Sequence, residues 1–206
     1  PGRCELKIFA TDLNADAIAA ARGGRFAATI ARDLTPERLA RFFIARPDGY
    51  LIDKRVREMV LFSQHDVIMD PPFTRLDILS CRNLMIYFGS ELQQRLVPLF
   101  HYSLRPGGAL LLTTHGLDTL GVQLRGGVMT EDSAAEAATA MLRTGHQYFD
   151  VFGDDGDWGV KDAGWGNAYT SVDWLLATAT PAWAVRLFRP AMLAQNQDVF
   201  VLERAA

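Results

Sequence analysis

The sequence predicts an α/β protein built around a doubly wound, mostly parallel sheet. Short apolar runs typical of buried strands recur between Leu6 and Thr114. Helix start and stop signals lie between these runs, together with turns rich in Gly and Pro. The order strand, helix, strand, helix, strand favours parallel strands joined by crossover helices. With 206 residues, 49% hydrophobic and 22% charged, the chain can form one such domain with a sizeable core.

Local signals define the first strand and the first helix. Leu6–Ala10 is an apolar run that predicts a strand, and the alanine-rich Ala15–Arg22 predicts a helix. Asn14 is suited to cap this helix at its start, and Gly23 with Gly24 to end it.

A second helix is predicted from Thr35 as cap and Pro36 as first helical residue. Leu39, Phe42 and Phe43 give this helix an apolar stripe. Two strands are predicted after it, at Tyr50–Ile52 and Met59–Phe62.

The most informative segment follows the apolar run Leu76–Leu79, which predicts a buried strand ending at Cys81-Arg-Asn83. Asn83 and Tyr87 are four residues apart, so on a helix they would share one face. Open α/β sheets bind ligands at the carboxyl ends of their strands, where this arginine, amide and phenol are expected. The alternative is a plain strand-to-helix corner, with Asn83 as helix cap and Tyr87 half buried.

The later elements are predicted from similar local patterns. Ser90 and Gln93 form a capping-box pattern for a helix that continues through Tyr102. Ala109–Thr114 predicts a strand, and Val199–Glu203 a closing strand.

Two carboxylates follow predicted strands. An acidic residue placed like Asp12, between a strand and a helix, commonly accepts hydrogen bonds from a ribose diol, although a helix-capping role is the alternative. Asp66 ends the strand that contains Phe62, on the same ligand edge. We therefore expect Asp12, Asp66 and the Arg82–Asn83 pair to lie along one edge of the sheet.

Composition excludes several classes of protein. The net charge of −3 gives no basic surface for nucleic acid, and no apolar stretch approaches the ~20 residues that span a bilayer. Cys4 and Cys81 are the only cysteines, and no Cys/His spacing suits zinc, so we expect no metal and a reduced, cytoplasmic setting. Gly153–Asp157 is interpreted as a solvated acidic turn, because it lacks the rest of a calcium loop. The chain begins almost inside a strand, so a fragment of a longer protein is expected.

Five sequence motifs occur in order along the chain. They are Phe9-Ala-Thr-Asp-Leu-Asn14 with Ala21-Arg-Gly23, Phe62-Ser-Gln-His-Asp-Val67, Asp70-Pro-Pro-Phe73, Leu76-Asp-Ile-Leu-Ser-Cys-Arg-Asn-Leu-Met-Ile-Tyr-Phe88 and Leu104-Arg-Pro-Gly-Gly108. Together these motifs resemble those of the CheR-type chemotaxis methyltransferases, which are S-adenosylmethionine-dependent protein-glutamate O-methyltransferases. The motif sequences are most similar to versions fused to a methylesterase and sensory domains, and the resemblance covers roughly residues 5 to 121.

The resemblance implies a Rossmann-like methyltransferase fold and a role for each site position. Asp12 would bind the ribose hydroxyls, and Asp66 with Val67 would frame the adenine. Arg82 and Asn83 would line the cofactor site. Tyr87 would face the methyl group and the incoming carboxylate, and Tyr87 and Arg82 together would serve catalysis. The implied partner is a methyl-accepting chemotaxis receptor or a related signalling protein.

Several departures separate the chain from the family pattern. Relatives carry a glycine-rich cofactor loop before the strand at Leu6, which implies that this fragment is incomplete at its amino-terminal end and impaired. Thr113-Thr-His-Gly116 replaces the usual Gly-Ser-Ser-Glu, so an acidic residue is lost. Residues 122–206 do not resemble the family ending. We therefore expect a partial methyltransferase domain at 1–121, followed by a Trp-containing stretch that is either a divergent extension or a frame error.

Two further expectations follow from the resemblance. In this family a small inserted β-subdomain can dock a receptor tail by strand addition. Here it could come only from the segment between Arg25 and Met59, which offers little strand, so we expect no well-formed three-stranded docking unit and weak or no binding of a tail peptide. The alternatives to a methyltransferase are a degenerate binding module within a sensory fusion and, more weakly, a Rossmann dehydrogenase, for which the sequence has no Gly-x-Gly-x-x-Gly loop.

Overall fold

The structure is a computed structural model, and it describes residues 5–150, 166–179 and 181–205. The acidic turn predicted at Gly153–Asp157 lies outside the described residues. The chain separates into two compact units, Pro1–Pro71 and Pro72–Ala206, and the predicted boundary after residue 121 does not coincide with this division.

The amino-terminal unit contains a pair of parallel strands with a helix between them in sequence. Its elements are β1 (Ile8–Asp12), α1 (Ala15–Gly23), β2 (Arg25–Phe26), α2 (Pro36–Phe42), β3 (Phe43–Arg46), β4 (Gly49–Ile52), α3 (Lys54–Arg57) and β5 (Val60–Gln64). Strands β1 and β5 run parallel, with Asp12 opposite Gln64. The side chain of Asn14 accepts from the N–H groups of Asp16 and Ala17, and Gly24 closes α1 with φ of 62°, so both predicted helix ends are confirmed.

A three-stranded antiparallel sheet, in the order β2–β4–β3, occupies the same unit. The prediction that this segment forms no such unit was wrong. Phe43 looks like part of the helical stripe, but α2 ends at Phe42 and Phe43 begins β3. Edge-to-face packing of Phe43 on Phe26 (5.4 Å between ring centroids) and on Tyr50 (6.5 Å) holds the three strands together. These aromatic contacts join residues distant in sequence, so local patterns do not reveal them.

The carboxyl-terminal unit contains a larger, mixed sheet. Its elements are β6 (Leu76–Cys81), α4 (Ser90–Ser103), β7 (Leu104–Thr114), α5 (Leu117–Arg125), α6 (Glu131–Thr144), β8 (His146–Phe149), β9 (Asn167–Thr170), α7 (Val172–Ala179), β10 (Trp183–Leu193) and β11 (Gln197–Arg204). The sheet order is β10–β11–β7–β6, in which β6 and β7 are parallel and the other pairs antiparallel.

Strand β11 confirms the closing strand predicted at Val199–Glu203, and it lies between β7 and β10. Val199 pairs with Thr113, and Phe200 with Leu112. This part of the chain after residue 121 therefore contributes to the same sheet as β6 and β7. Whether residues 122–206 form an extension foreign to the family stays a prediction.

One part of the core of this unit lies between its mixed sheet and α4, and another part joins α5, α6 and β9. Leu110 and Leu112 of β7 and Leu202 of β11 are fully buried, and Leu96 and Phe100 of α4 are nearly so. The α/β class with parallel strand pairs is thus confirmed. The described strands form four separate sheets, and the parallel pairs are β1–β5 and β6–β7.

Candidate functional site

The two predicted carboxylates of the amino-terminal unit lie at the carboxyl ends of its parallel strands. Asp12 is the last residue of β1, and Asp66 follows β5 by two positions. The strand ends are tied together because the His65 N–H donates to the Asp12 carbonyl at 3.1 Å. The exposed Asp12 carboxylate accepts the N–H of Asn14 at 2.8 Å through Oδ1, which fixes its orientation. The structure therefore brings Asp12 and Asp66 to neighbouring strand ends.

Asp66 organises the turn that follows β5. Its Oδ1 accepts the N–H groups of Ile68 at 2.8 Å and Met69 at 3.2 Å, and its own N–H donates to Asp70 at 2.8 Å. Val67, in the middle of this turn, is half-buried. These hydrogen bonds stabilise the turn, which would suit a binding surface that has to keep its shape. The adenine-framing role of Asp66 and Val67 stays a prediction.

Arg82 and Asn83 follow the carboxyl end of β6 in the other unit, and both are exposed. Asn83 has φ of 55°, in the left-handed region. This conformation is energetically unfavourable for most L-residues, and Asn is among the few that adopt it readily. Asn83 is therefore a corner residue, neither inside a helix nor its cap.

The predicted helix linking Asn83 and Tyr87 does not form. Only Met85–Tyr87 is helical, as a single 3₁₀ turn. The expectation that the two side chains share a helix face was wrong, because the left-handed corner at Asn83 interrupts the helical path. Tyr87 is half-buried, and its carbonyl accepts the Gly166 N–H at 3.4 Å.

The predicted capping box at Ser90 and Gln93 is also absent. Gly89 is the N-cap of α4, and the Gln93 amide is directed elsewhere. Its Nε2 donates to the carbonyls of Met85 at 2.8 Å and Phe88 at 2.9 Å. Gln93 thus binds the turn that carries Tyr87. The sequence pattern had predicted a helix-capping role for this side chain instead.

A second residue missed by the sequence interpretation is Thr113, the penultimate residue of strand β7. Its hydroxyl oxygen accepts the Asn83 N–H at 3.1 Å. No local signal points to this contact, because thirty positions separate the two residues.

Cys81 at the end of β6 offers no nucleophile. Burial raises the pKa of its thiol to about 12, so it stays protonated at neutral pH. Within the described ranges, no group of three or more His, Cys, Asp or Glu side chains could hold a metal ion. No helix in the described part of the chain is long and apolar enough to cross a membrane.

The candidate residues thus fall into two sets, one in each unit. Asp12, Asp66 and Val67 follow strand ends in the first unit, and Arg82, Asn83 and Tyr87 follow a strand end in the second. That all of them line one common edge stays a prediction.

Parallel strands with polar side chains at their carboxyl ends are typical of α/β folds that bind a ligand at this edge, and a solved structure specifies the fold. A SAM-dependent methyltransferase of Methanosarcina mazei superposes with a TM-score of 0.54 at 14% identity, covering 98% of this chain and 83% of that one. The fold is therefore that of the S-adenosylmethionine-dependent methyltransferases.

The sequence comparisons specify the family. The family model described as "CheR methyltransferase, SAM binding domain" matches residues 2–116. The chain belongs to this family, which confirms the resemblance and its S-adenosylmethionine cofactor.

Two curated relatives illustrate how far the similarity extends. An uncharacterised 104.1 kDa protein of Rhodobacter capsulatus is 47% identical over 107 residues, covering 52% of this chain and 11% of that protein. Chemotaxis protein methyltransferase 1 of Pseudomonas aeruginosa is 33% identical over 110 residues, covering 52% of this chain and 40% of that protein. The matched part of the chain spans less than half the length of either relative.

Proposed function

We propose that the protein transfers a methyl group from S-adenosylmethionine to glutamate side-chain carboxylates of a methyl-accepting chemotaxis receptor or a related signalling protein, in the cytoplasm. The observation that carries this proposal is the segment from Arg82 to Tyr87. It places a guanidinium, an amide and a phenol directly after a parallel strand, within the part of the chain that matches the family.

The residues present fit part of the cofactor. Asp12 offers an exposed, oriented carboxylate at a strand end, which suits two ribose hydroxyls. Asp66 and Val67 would frame the adenine, and Arg82 with Asn83 would line the remainder. The glycine-rich loop of relatives is expected upstream of Leu6, so we propose reduced activity for the 206-residue chain by itself.

The chemistry asks little of the protein beyond alignment. When bound, S-adenosylmethionine supplies a methyl group on a positively charged sulfonium. A glutamate carboxylate is already ionised at neutral pH, so no general base is required. Arg82 would hold this carboxylate by charge, and the Tyr87 hydroxyl would orient it by a hydrogen bond. Both side chains would act as catalytic residues through position and electrostatics.

Tyr87→Phe tests the catalytic role. In a full-length parent protein, this change should lower turnover by about tenfold or more with little change in cofactor affinity, because only the orienting hydroxyl is lost. The measurement follows radiolabelled methyl groups into receptor glutamates, where a methyl ester releases labelled methanol in base. Tyr102→Phe, on the exposed face of α4, is the matched control. Wild-type turnover in Tyr87→Phe would make Tyr87 a packing residue, since ring volume is kept.

The alternative function is a degenerate module that binds without turnover. Cofactor binding by a full-length wild-type protein, without transfer of label to any receptor glutamate, would favour this alternative over the enzyme.

The three-stranded sheet supports a second proposal, that the amino-terminal unit docks an acidic receptor tail on strand β3. This strand lies at an edge of the sheet and exposes Ile44. Beside it, a cavity of about 550 Å³ combines apolar and cationic side chains. Its lining residues are Leu34, Glu37, Arg38, Arg41, Phe42 and Phe43. An edge strand supplies main-chain hydrogen bonds, and the arginines would favour an acidic peptide.

Ala45→Pro tests this docking. The hairpin pairs Arg46 with Gly49 across a two-residue turn, so the alternation of antiparallel bonding leaves the Ala45 N–H facing the open edge. Proline removes this donor without breaking the β3–β4 ladder. Affinity for an acidic tail peptide, measured by fluorescence anisotropy, should fall about tenfold or more, whereas Ala45→Ser should keep it. Equal peptide affinity of the proline variant and the wild type would rule out docking on β3.

A further inference from the structure

The segment from Arg82 to Tyr87, called the 82–87 segment below, is held by two buried polar side chains that lie outside it. Thr113 of β7 contacts its beginning, and Gln93 of α4 contacts its end. Both side chains are almost completely buried, with exposed fractions of 1% for Thr113 and 0% for Gln93. Polar groups buried this deeply are costly unless they are hydrogen-bonded, so their partners matter.

Thr113 stabilises the corner at Asn83. Left-handed backbone is less favourable than right-handed backbone for a residue with a side chain, even for Asn, so contacts from neighbouring elements help to hold it. The hydroxyl of Thr113 does so by accepting the Asn83 N–H at 3.1 Å. The next residue, Thr114, is equally buried, yet its hydroxyl has no protein partner. Burial of a threonine at this strand end is therefore not sufficient to produce such a hydrogen bond, and the contact with the Asn83 N–H is particular to Thr113.

Gln93 fixes the turn that presents Tyr87. Its amide nitrogen donates to the carbonyls of Met85 and Phe88, which flank the segment's last residues. Its amide oxygen accepts from the Thr170 hydroxyl at 3.3 Å. The 3₁₀ turn is too short to be rigid alone, and these bonds tie it to α4 and β9.

We propose that Thr113 and Gln93 are positioning residues for methyl transfer, a role that rests on the proposed function. Thr113 sets the direction in which Arg82 and Asn83 leave the strand, and so acts on cofactor binding. Gln93 fixes the position of the turn that carries Tyr87, and so acts on the alignment of the substrate glutamate carboxylate. A small displacement of either pair lowers function because methyl transfer depends on alignment.

The first experiment compares Thr113→Val and Thr113→Ser in a full-length parent protein. Valine keeps the volume and removes the acceptor, whereas serine keeps the acceptor. Thr113→Val should speed hydrogen exchange at the Asn83 N–H and weaken S-adenosylmethionine binding about three- to tenfold. Thr113→Ser should keep both the exchange rate and the affinity near the wild-type values. Thr114→Val is the matched control, and it should leave both quantities at the wild-type value.

The second experiment compares Gln93→Met with Gln94→Met. Methionine approximates the shape of glutamine without its hydrogen bonds, and Gln94 is the exposed neighbour on the same helix. Gln93→Met should lower kcat about tenfold while the KM for S-adenosylmethionine stays unchanged. Gln94→Met should alter neither. A lowered melting temperature with unchanged kcat in Gln93→Met would show a purely structural role.

The two experiments separate this inference from the proposed function. If the wild-type parent methylates receptor glutamates but both Thr113→Val and Gln93→Met keep wild-type affinity and kcat, the positioning roles are overturned and the function stands. If the wild-type parent neither binds S-adenosylmethionine nor transfers methyl groups, the proposed function is overturned and the positioning roles with it.

Discussion

Replacing Asp12 with alanine is expected to weaken S-adenosylmethionine binding by about 1–3 kcal/mol, because charge-assisted hydrogen bonds to the ribose diol are lost. The structure supports this role through the exposed position of the carboxylate at the end of β1 and through the Asn14 N–H that orients it. The affinity is measured by titration calorimetry on a full-length parent protein.

Two control variants separate the charge from the local structure. Asp12→Asn keeps an oxygen that can accept the Asn14 N–H, so it preserves the turn and removes only the charge. It should lose part of the affinity. Asp16→Ala removes a nearby exposed carboxylate from the first turn of α1 and should bind as the wild type does. Unchanged affinity in Asp12→Ala would exclude the ribose-binding role.

Acidification is expected to destabilise the carboxyl-terminal unit through His115. This side chain is 3% exposed, and burial lowers the pKa of its imidazole from 6.5 to about 4. The unfolded chain therefore takes up a proton below pH 6.5, whereas the folded chain does so only near pH 4. The stabilisation by neutral His115 is complete above pH 6.5 and is lost as the pH falls toward 4, by up to roughly 3 kcal/mol.

Urea unfolding of the 206-residue chain at pH 7.5 and at pH 4 measures this loss. His115→Gln should reduce the difference in unfolding free energy between the two pH values, because glutamine does not titrate. His146 also has a pKa lowered by burial to about 4, so part of the acid sensitivity should remain. An identical pH dependence in His115→Gln and the wild type would refute the assignment.

Asp198 provides a control of opposite sign. Burial is the main cause that raises the pKa of its carboxyl, so its neutral form favours folding at low pH and this benefit is lost as the pH rises above 3.8. Asn in its place can still accept the Ala191 N–H, which Asp198 now accepts at 2.9 Å. Asp198→Asn should therefore raise stability at pH 7.5 and increase the loss on acidification.

Elements with local causes were predictable from the sequence. The caps of α1 and α2 form as expected, because Asn14 and Thr35 bond to N–H groups two or three residues away. The strands β6 and β11 were found because a short apolar run bounded by turn signals favours a strand. The burial expected for β6 was wrong, since Ile78 in its middle is 70% exposed. The candidate residues lie at or just after strand ends for the same reason, and their roles stay a prediction.

Elements with distant causes were not predictable. Phe43 belongs by spacing to the apolar stripe of the predicted helix, but its aromatic contacts with Phe26 and Tyr50 place it in strand β3. The Gln93 side chain, expected to cap α4, reaches back to the turn before that helix. The left-handed corner at Asn83 replaced a helix that spacing alone predicted.

The sequence by itself determined the α/β class, the family and the identity of the residues that follow the strand ends, because these depend on residue type and order along the chain. Only the tertiary structure decided how Asn83 and Tyr87 are presented. Their geometry depends on hydrogen bonds from Thr113 and Gln93, whose side chains come from neighbouring elements and lie buried away from water. Such bonds are strong enough to override the weak local preference of a six-residue segment for a helix.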